Sequence, residues 1–239
     1  MEKINLMING LPGNVAAKIA QFAIADKRFN VIAYSLTGQE IENKIYSIDS
    51  INFELVKPDI RDKKIQEIKS RFASFIAIDY THPFAVNKNA LFYTQNLIPF
   101  VMGTTGGDRV KLEQLVSDSS TMAVIAPNMA KQIVGFQAMM EYAANTFPNL
   151  FEGYTLNIIE SHQKGKADTS GTAKAMVEHF NKLGTDFDVN NIEMVRDPEL
   201  QEKEWKIPKE HLAGHGWHTY TLKAKDGSAL FEFKHNING

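Results

Sequence analysis

The sequence predicts an α/β protein, with an N-terminal Rossmann-like, doubly wound parallel sheet followed by a C-terminal α+β domain with a mixed sheet. Up to about residue 128, short apolar runs alternate with stretches of helical periodicity. That alternation is typical of parallel strands joined by helical crossovers. After residue 128 the pattern changes to a long helix, further strands and one more helix. We therefore predict two domains, residues 1–128 and 129–239.

The individual elements follow from hydrophobic periodicity. In the first domain, strands are predicted at 4–8, 30–34, 75–78, 98–102 and 122–125, and helices at 15–25, 60–72, 85–97 and 109–116. In the second domain, helices are predicted at 131–145 and 171–183, and strands at 154–159, 191–195, 217–224 and 229–233.

Composition excludes several classes of protein. The 239 residues carry a formal net charge of -2, so no bulk charge draws the chain to nucleic acid or anionic lipid. The absence of cysteine excludes disulfides, thiolate catalysis and cysteine-ligated zinc, and no metal centre is predicted. No run reaches the roughly 18 apolar residues of a membrane span. Because Met1 leads directly into an apolar strand without a signal pattern, we expect a cytoplasmic protein.

A glycine-containing loop joins the first predicted strand to the first helix. It follows the pattern Gly-x-x-Gly-x-x-Ala and comprises Gly10, Leu11, Pro12, Gly13, Asn14 and Val15 before Ala16. Glycine lets phosphate oxygens approach the backbone, and the helix N-terminus offers free N–H groups to a pyrophosphate. An ordinary strand-to-helix turn is the simpler interpretation, but the position after the first strand favours dinucleotide binding. We therefore interpret residues 1–128 as a dinucleotide-binding domain.

The end of the second predicted strand bears on the choice of cofactor. An acidic residue at this point binds the ribose 2′-hydroxyl of NAD. The chain has Ser35 instead, in the run Tyr-Ser-Leu-Thr-Gly, whose hydroxyls could accommodate a 2′-phosphate. No arginine is present to pair with that phosphate, and Glu40 could still reach the ribose. The pattern slightly favours NADPH and leaves NADH open.

Titratable residues concentrate between the predicted strand 154–159 and the next helix. His162 and Lys166 lie in the connecting loop, and Ser170, Gly171 and Thr172 begin the helix. A histidine and a lysine can donate protons beside an anion, and a capped helix N-terminus can bind a carboxylate. The alternative is a capped helix behind a solvated surface loop. The close spacing of these groups favours a catalytic site, with residues 129–239 as the substrate-binding and catalytic domain.

This stretch resembles the signature of the dihydrodipicolinate reductase family, Glu-x-His-His-x-x-Lys-x-Asp-x-x-Ser-Gly-Thr-Ala. Glu160 to Ala173 follows it closely, except that Gln163 replaces the second histidine and the Asp-to-Ser spacing is one residue shorter. Both departures are similar to the plant-type branch. Three further blocks resemble family loops at strand ends, namely residues 79–83, 103–106 and 126–129.

The resemblance implies NAD(P)H-dependent reduction of 4-hydroxy-2,3,4,5-tetrahydrodipicolinate in the diaminopimelate route of lysine biosynthesis. It implies His162 and Lys166 as the proton-transfer residues, a small dicarboxylate substrate, and a homo-oligomer of two or four copies. The substrate contacts it implies are Gln163, Ser170, Gly171, Thr172 and Thr105. The further cofactor contacts it implies are Thr81, Gly103, Thr104, Thr105, Ala126, Pro127, Asn128 and Met129. Family members usually continue beyond residue 239 as a helical tail.

Two alternatives stay open at this point. One is a different two-domain dehydrogenase, such as a homoserine or an aspartate-semialdehyde dehydrogenase, although the second needs a cysteine. The other is a dinucleotide-binding sensor without activity, which would bind NADPH but show no oxidation that depends on substrate. No motif suggests a nucleic-acid or membrane partner.

Overall fold

The computed structural model describes residues 2–126, 128–166 and 169–238. The chain folds as two compact units, residues 1–127 and 128–239. Asn128 therefore belongs to the second unit, one residue from the predicted boundary.

The first unit is built on a five-stranded parallel sheet with the strand order β2-β1-β6-β7-β8. Its strands are β1 (Ile4–Asn9), β2 (Phe29–Val31), β6 (Ile76–Asp79), β7 (Phe100–Met102) and β8 (Ala123–Ile125). Its helices are α1 (Asn14–Ala25), α2 (Arg61–Arg71), α3 (Val86–Gln95) and α4 (Arg109–Ser117). This confirms the doubly wound parallel sheet.

One predicted strand of the first unit was wrong. The predicted strand 30–34 is two strands, because the Tyr34 N–H bonds to the Ile32 carbonyl at 2.8 Å and turns the chain sharply at residue 33. β3 (Tyr34–Leu36) continues in a separate three-stranded sheet with β5 (Ile51–Val56) and β4 (Ile45–Ile48). The hairpin of β4 and β5 was missed.

The second unit contains a four-stranded mixed sheet with the order β10-β9-β11-β12. Its strands are β9 (Tyr154–His162), β10 (Glu193–Val195), β11 (His215–Ala224) and β12 (Leu230–Asn238). Its helices are α5 (Lys131–Thr146), α6 (Gly171–Lys182) and α7 (Pro198–Lys203). The six-residue α7 is too short for helical periodicity to reveal, and β12 continues to Asn238, past its predicted end at residue 233.

Each unit has its own hydrophobic core. In β1, Met7 packs on one face of the parallel sheet, whereas Leu6 and Ile8 pack on the other, as alternation along a strand requires. In the second unit, Phe180 of α6 packs against Tyr220 of β11 with ring centroids 5.5 Å apart. Among the described helices, none is long and apolar enough to cross a membrane.

Candidate active site

A cleft of about 820 Å³ lies at the carboxyl ends of the parallel strands in the first unit. Its walls include residues 10–13, 36–41 and 80–82 together with Arg61 and Lys88. An open α/β sheet binds ligands at this edge, and the volume is that of a small-molecule site. The glycine loop identified in the sequence is therefore part of a real cavity.

The loop from β1 to α1 has the geometry of a phosphate cradle. Gly10 has φ +108°, and a Cβ at this position would collide with the backbone carbonyl of Tyr80. Gly13 is the N-cap of α1, and no side chain caps the helix. The first N–H groups of α1, at the exposed Asn14 and Val15, are thus left for an anion. This arrangement fits a dinucleotide pyrophosphate.

Two of the hydroxyls predicted to face the cofactor have a supporting position instead. Ser35 is fully buried, and its Oγ accepts a hydrogen bond from the Leu11 N–H at 3.2 Å. Thr37 donates its hydroxyl to the Leu11 carbonyl at 2.7 Å. Because both hydroxyls bond to the loop, neither is free to hold a 2′-phosphate. The Leu11 side chain is also fully buried, so Leu11 borders the cleft mainly through its backbone.

Three charged side chains stand in the same cleft. The carboxylate of Glu40 occupies the space that a Cβ of Gly38 would fill. Arg61 bonds to Asn89 Oδ1 at 3.2 Å, and Lys88 also lines the wall. No sequence motif marks Arg61 and Lys88, because they lie in helices that follow other strands. They supply the positive charge that the end of β3 lacks.

The loops after β6 and β7, which carry Thr81 and Thr104, converge on one buried carboxylate. Asp79 ends β6 and accepts hydrogen bonds from Thr81 Oγ1 at 2.8 Å and from Thr104 Oγ1 at 3.0 Å. Thr104 is buried next to Gly103, whereas Thr105 is exposed. The hydroxyls of Thr81 and Thr104 therefore hold the loops in shape, and Thr105 is the side chain left to meet a ligand.

The predicted block 126–129 divides between the units. The Ala126 N–H bonds to the Met102 carbonyl at 3.1 Å and so extends the parallel sheet. Asn128 donates to Thr172 Oγ1 at 3.0 Å and accepts from the Ala130 N–H, which ties it to the start of α6. Met129 is exposed. Pro127 lies outside the described residues.

In the second unit, His162 is fixed in one tautomer at the end of β9. Its Nδ1 lies 3.1 Å from the His215 carbonyl, which can only accept, so Nδ1 carries the proton. Its Nε2 is buried and has no hydrogen-bond partner among the described residues. Burial and the neighbouring His218 lower the pKa of His162 to about 4. At neutral pH the ring is therefore uncharged, with Nε2 open to accept a proton.

The Glu160 carboxylate organises the surroundings of that ring. It is fully buried, and its two oxygens accept from Arg196 Nη2 at 2.5 Å and from the Ser170 N–H at 3.0 Å. His218 Nε2 lies 3.6 Å away. Burial alone would raise the pKa of the Glu160 carboxyl, but His218, Arg196 and Ser170 outweigh it and hold that pKa well below its usual range.

Sheet register explains why these groups meet. Glu160 of β9 pairs with His218 of β11, and His218 pairs with His235 of β12, so the three lie in one row across the sheet. The rings of His218 and His235 stack with centroids 4.5 Å apart. Next to this row, His162 lies opposite Gly216, where a Cβ would come within 3.0 Å of the imidazole.

Three members of this site lie outside the predicted motif, namely Arg196, His218 and His235. The histidines at 215 and 218 are a weak sign of a site in the sequence. Which residues they face depends on strand register, and register cannot be read without the partner strand. Arg196 follows the three-residue strand β10, and nothing in its local sequence marks it.

The residues of the predicted carboxylate site lie at the start of α6. Ser170 is the N-cap, and its Oγ accepts from the Ala173 N–H at 3.1 Å and contacts His218 Nε2 at 2.8 Å. Gly171 is exposed, and Thr172 is half-buried. Both lie in the first turn of α6, where N–H groups are free to bind an anion.

The loop before α6 carries the remaining predicted residues. The Lys166 N–H bonds to the Gln163 carbonyl at 3.0 Å, and Arg196 Nε bonds to the Lys166 carbonyl at 2.9 Å. Gln163 and Lys166 are both half-buried, whereas Lys164 is exposed. Asp168, part of the motif, lies outside the described residues.

Glu160, His162 and His218 present ligand atoms within 4.8 Å of one another, close enough for one metal ion. The Arg196 guanidinium is already bound to Glu160, and Ser170 Oγ contacts the His218 nitrogen. A divalent cation would have to enter beside this positive charge. We therefore interpret the group as a hydrogen-bonded network.

The stability of the second unit should fall as the pH drops from about 6.5 to about 4. Burial lowers the pKa of His162 and of His235 to about 4, whereas an unfolded histidine titrates near 6.5. Below that value the unfolded chain takes up protons that the folded unit does not. For His162, whose side chain is 13% exposed, the complete loss is about 3 kcal/mol.

Urea unfolding measured at about pH 7 and about pH 5 tests this prediction. Tryptophan fluorescence reports on the second unit alone, because Trp205 and Trp217, the only tryptophans of the chain, both lie there. His162→Gln should flatten the pH dependence. An unfolding free energy that stays constant over this range in the parent protein would contradict the prediction.

The parallel sheet and the cleft at its carboxyl edge fit a class of protein, the nicotinamide-dinucleotide oxidoreductases. Residues 4–129 match the family described as dihydrodipicolinate reductase, N-terminus, and residues 133–238 match its C-terminus. The chain therefore belongs to the dihydrodipicolinate reductase family, as the sequence motifs predicted. A pyridine nucleotide cofactor follows from that membership.

Curated plant proteins resemble the chain over nearly its whole length. One is a probable 4-hydroxy-tetrahydrodipicolinate reductase 2, chloroplastic, of Oryza sativa subsp. japonica, 39% identical over 98% of this chain and 72% of the relative. Another is the 4-hydroxy-tetrahydrodipicolinate reductase 2, chloroplastic, of Arabidopsis thaliana, 39% identical over 99% of this chain and 67% of the relative. These proteins bear out the resemblance to the plant-type branch.

Solved structures agree on the fold. A dipicolinate-bound dihydrodipicolinate reductase from Paenisporosarcina sp. TG-14 superposes with a TM-score of 0.63 at 19% identity, over 98% of this chain and 88% of that one. An aspartate semialdehyde dehydrogenase II from Vibrio cholerae superposes with a TM-score of 0.51 at 11% identity, over 93% and 75%. At these identities the likeness shows a shared architecture only.

The comparisons correct the expected cytoplasmic location. The plant relatives at 39% identity are chloroplastic proteins, so that expectation was wrong. The absence of cysteine bears on redox conditions and does not distinguish one reducing compartment from another.

Proposed function

We propose that the protein reduces 4-hydroxy-2,3,4,5-tetrahydrodipicolinate to 2,3,4,5-tetrahydrodipicolinate with NAD(P)H and loss of water, in the diaminopimelate route of lysine biosynthesis. The observation that carries this proposal is the His162 site, where an imidazole nitrogen without a hydrogen-bond partner among the described residues and the start of α6 both adjoin the Glu160 carboxylate. Curated relatives that share 39% of the sequence are reductases of this name.

The two units divide the work in this proposal. Residues 1–128 hold the dinucleotide, with the loop 10–15 at its pyrophosphate and the loops at 81 and 103–105 towards the nicotinamide. Residues 126–129 complete that contact. Residues 129–239 hold the dicarboxylate, with one carboxylate at the N–H groups of Gly171 and Thr172.

A reduced nicotinamide bound by the first unit would supply the hydride for C4 of the dehydrated substrate ring. Electron density then moves towards the ring nitrogen, and a proton must arrive there or on the adjacent carbon. Lys166 is the proposed donor of that proton. His162, with Nδ1 held by the His215 carbonyl, presents Nε2 to the substrate and can pass on the proton. A dianionic substrate raises the proton affinity of His162, because opposite charge favours the imidazolium.

Two carboxylates also need positive charge around them. Lys166 and the start of α6 provide it, and Ser170 holds that helix end in place through its bond to Ala173. Gln163 adds a neutral amide contact where many family members carry a second histidine. This arrangement stabilises the charge that develops during the reaction, which is the main way such sites accelerate chemistry.

We further propose NADPH as the slightly preferred cofactor, with NADH also accepted. Arg61 and Lys88 in the cleft supply the positive charge that a 2′-phosphate needs, whereas the negative charge of Glu40 repels it.

Glu40→Gln should therefore raise the kcat/KM ratio of NADPH to NADH by roughly fivefold, the effect of about 1 kcal/mol of repulsion. Steady-state kinetics with both cofactors measure it. Glu42→Gln, at an exposed position outside the cleft wall, is the matched control, and an unchanged ratio in Glu40→Gln would contradict the proposal.

A homo-oligomer is also part of the proposal. β12 is the edge strand of the four-stranded sheet, and its Leu230, Phe231 and Ile237 are exposed. A nine-residue open edge with apolar side chains is a surface that proteins usually cover. A second copy of the chain supplies such a cover.

A further inference from the structure

We propose that Asp79 is a positioning residue for the nicotinamide cofactor, because it holds three cofactor-facing loops of the first unit in register without touching the cofactor. The inference rests on the proposed use of this unit for NAD(P)H. Asp79 ends β6, the strand next to β1 in the parallel sheet, and is fully buried.

Both oxygens of this carboxylate are saturated with hydrogen bonds. Oδ1 accepts from the Thr81 N–H at 3.1 Å, from Thr81 Oγ1 at 2.8 Å and from Thr104 Oγ1 at 3.0 Å. Oδ2 accepts from Tyr93 Oη at 2.7 Å and from Asn89 Nδ2 at 3.0 Å. All of these bonds come from neutral groups. A buried carboxylate so bound is a rigid centre, since each loop can move only by breaking its own bonds to the network.

The bonds reach the three loops by separate routes. The loop after β6 is held directly through Thr81, and the loop after β7 is held through Thr104. The glycine loop is held indirectly through Tyr93, since Asn9 Nδ2 donates to Tyr93 Oη at 2.9 Å. Asn9 is the last residue of β1, and its Oδ1 accepts from the Leu36 N–H at 2.8 Å. The Asp79 network, formed by Asn9, Asp79, Thr81, Asn89, Tyr93 and Thr104, therefore sets the shape of the cleft.

A network with a purely structural role could lie anywhere in the core. Here every loop it reaches lies at the carboxyl edge of the sheet, where ligands bind. Thr81 and residue 10 both line the cleft. Preorganised loops bind a cofactor more tightly, because no ordering entropy is lost on binding.

Asp79→Asn is the informative variant. It keeps the size of the side chain but replaces one carboxylate oxygen with an NH₂ group. In either orientation of the amide, this NH₂ group faces hydroxyl or amide donors. We expect the dissociation constant for NADPH to rise roughly tenfold, since a buried donor loses its partner. The KM for the cofactor should rise with it, whereas kcat at saturating cofactor should fall much less.

Rescue distinguishes positioning from general damage. In Asp79→Asn/Asn89→Asp the carboxylate and the amide exchange places, and the carboxylate introduced at position 89 would face Arg61, which bonds to Asn89 in the parent. Part of the lost affinity should return. Thr94→Val is the matched control, since Thr94 is buried in the same helix α3 but its hydroxyl donates only to the Leu91 carbonyl there. It should leave cofactor affinity unchanged.

The experiment is a titration of NADPH fluorescence with each purified full-length variant in the absence of substrate. Weaker binding in Asp79→Asn with recovery in the double variant supports the proposal, and parental affinity in Asp79→Asn overturns it. If Asp79→Asn does not fold, Tyr93→Phe and Thr104→Val each remove one bond to the Asp79 carboxylate, and parental affinity in both overturns the proposal equally. The titration is independent of turnover, so a parent protein without reductase activity would count against the proposed function alone.

Discussion

His162→Ala should lower kcat by about 100-fold to 10,000-fold, the usual contribution of a positioned acid or base, while leaving NADPH affinity unchanged. The reason is that His162 Nε2 is an acceptor without a hydrogen-bond partner among the described residues of the second unit, whereas the cofactor cleft belongs to the first. Lys166→Ala should have a similar effect on kcat. Turnover assays with substrate measure kcat, and NADPH fluorescence titrations measure the cofactor affinity separately.

The control for this pair is Lys164→Ala, two residues from Lys166 and exposed. Its turnover should match that of the parent, because removing a solvated charge changes little. Near-parental turnover in both His162→Ala and Lys166→Ala would show that neither residue transfers the proton. Loss of NADPH affinity along with kcat would show instead that the variants disturb the fold.

Glu160→Gln should produce the largest loss of stability, about 3 to 5 kcal/mol in the unfolding free energy of the second unit. The Glu160 side chain is fully buried, and that of Arg196 is 16% exposed. The variant therefore removes the charge that Glu160 places against the guanidinium. It also weakens the bond from the Ser170 N–H, which positions the start of α6. Urea unfolding followed by tryptophan fluorescence measures the change.

A double variant shows whether the pair itself is responsible. Glu160→Gln/Arg196→Met removes both charges of the pair and should be more stable than Glu160→Gln alone, since the desolvation of the guanidinium is also removed. Glu199→Gln, which removes the exposed ion pair with Lys203, should change stability little. A loss in Glu160→Gln no larger than in Glu199→Gln would contradict the role assigned to this carboxylate.

The fold was predictable wherever hydrophobic periodicity was strong. The alternation of β1, α1, β6, α3 and β7 gave the parallel sheet directly. The split of strand 30–34 was not predictable, because it depends on one local turn between Ile32 and Tyr34 within an otherwise continuous apolar run. The hairpin of β4 and β5 was missed because polar residues such as Ser47 and Asn52 interrupt its alternation.

The site was predictable only where its residues are close in sequence. One short segment contains His162, Lys166 and Ser170, and its motif identified all three as candidates. His218 and His235 join that segment through strand register, which periodicity does not reveal. Ser35 shows the opposite error. Its hydroxyl stands at the expected place in the sequence but is turned inward to the Leu11 N–H, because the strand alternates.

The reductase activity is tested most directly by following the absorbance of NADPH with freshly generated 4-hydroxy-tetrahydrodipicolinate, in parallel with NADH. We expect cofactor oxidation that requires the substrate, occurs with both cofactors and is somewhat faster with NADPH. NADPH binding without any oxidation that depends on the substrate would contradict the proposed function and would favour a dinucleotide sensor built on the same fold.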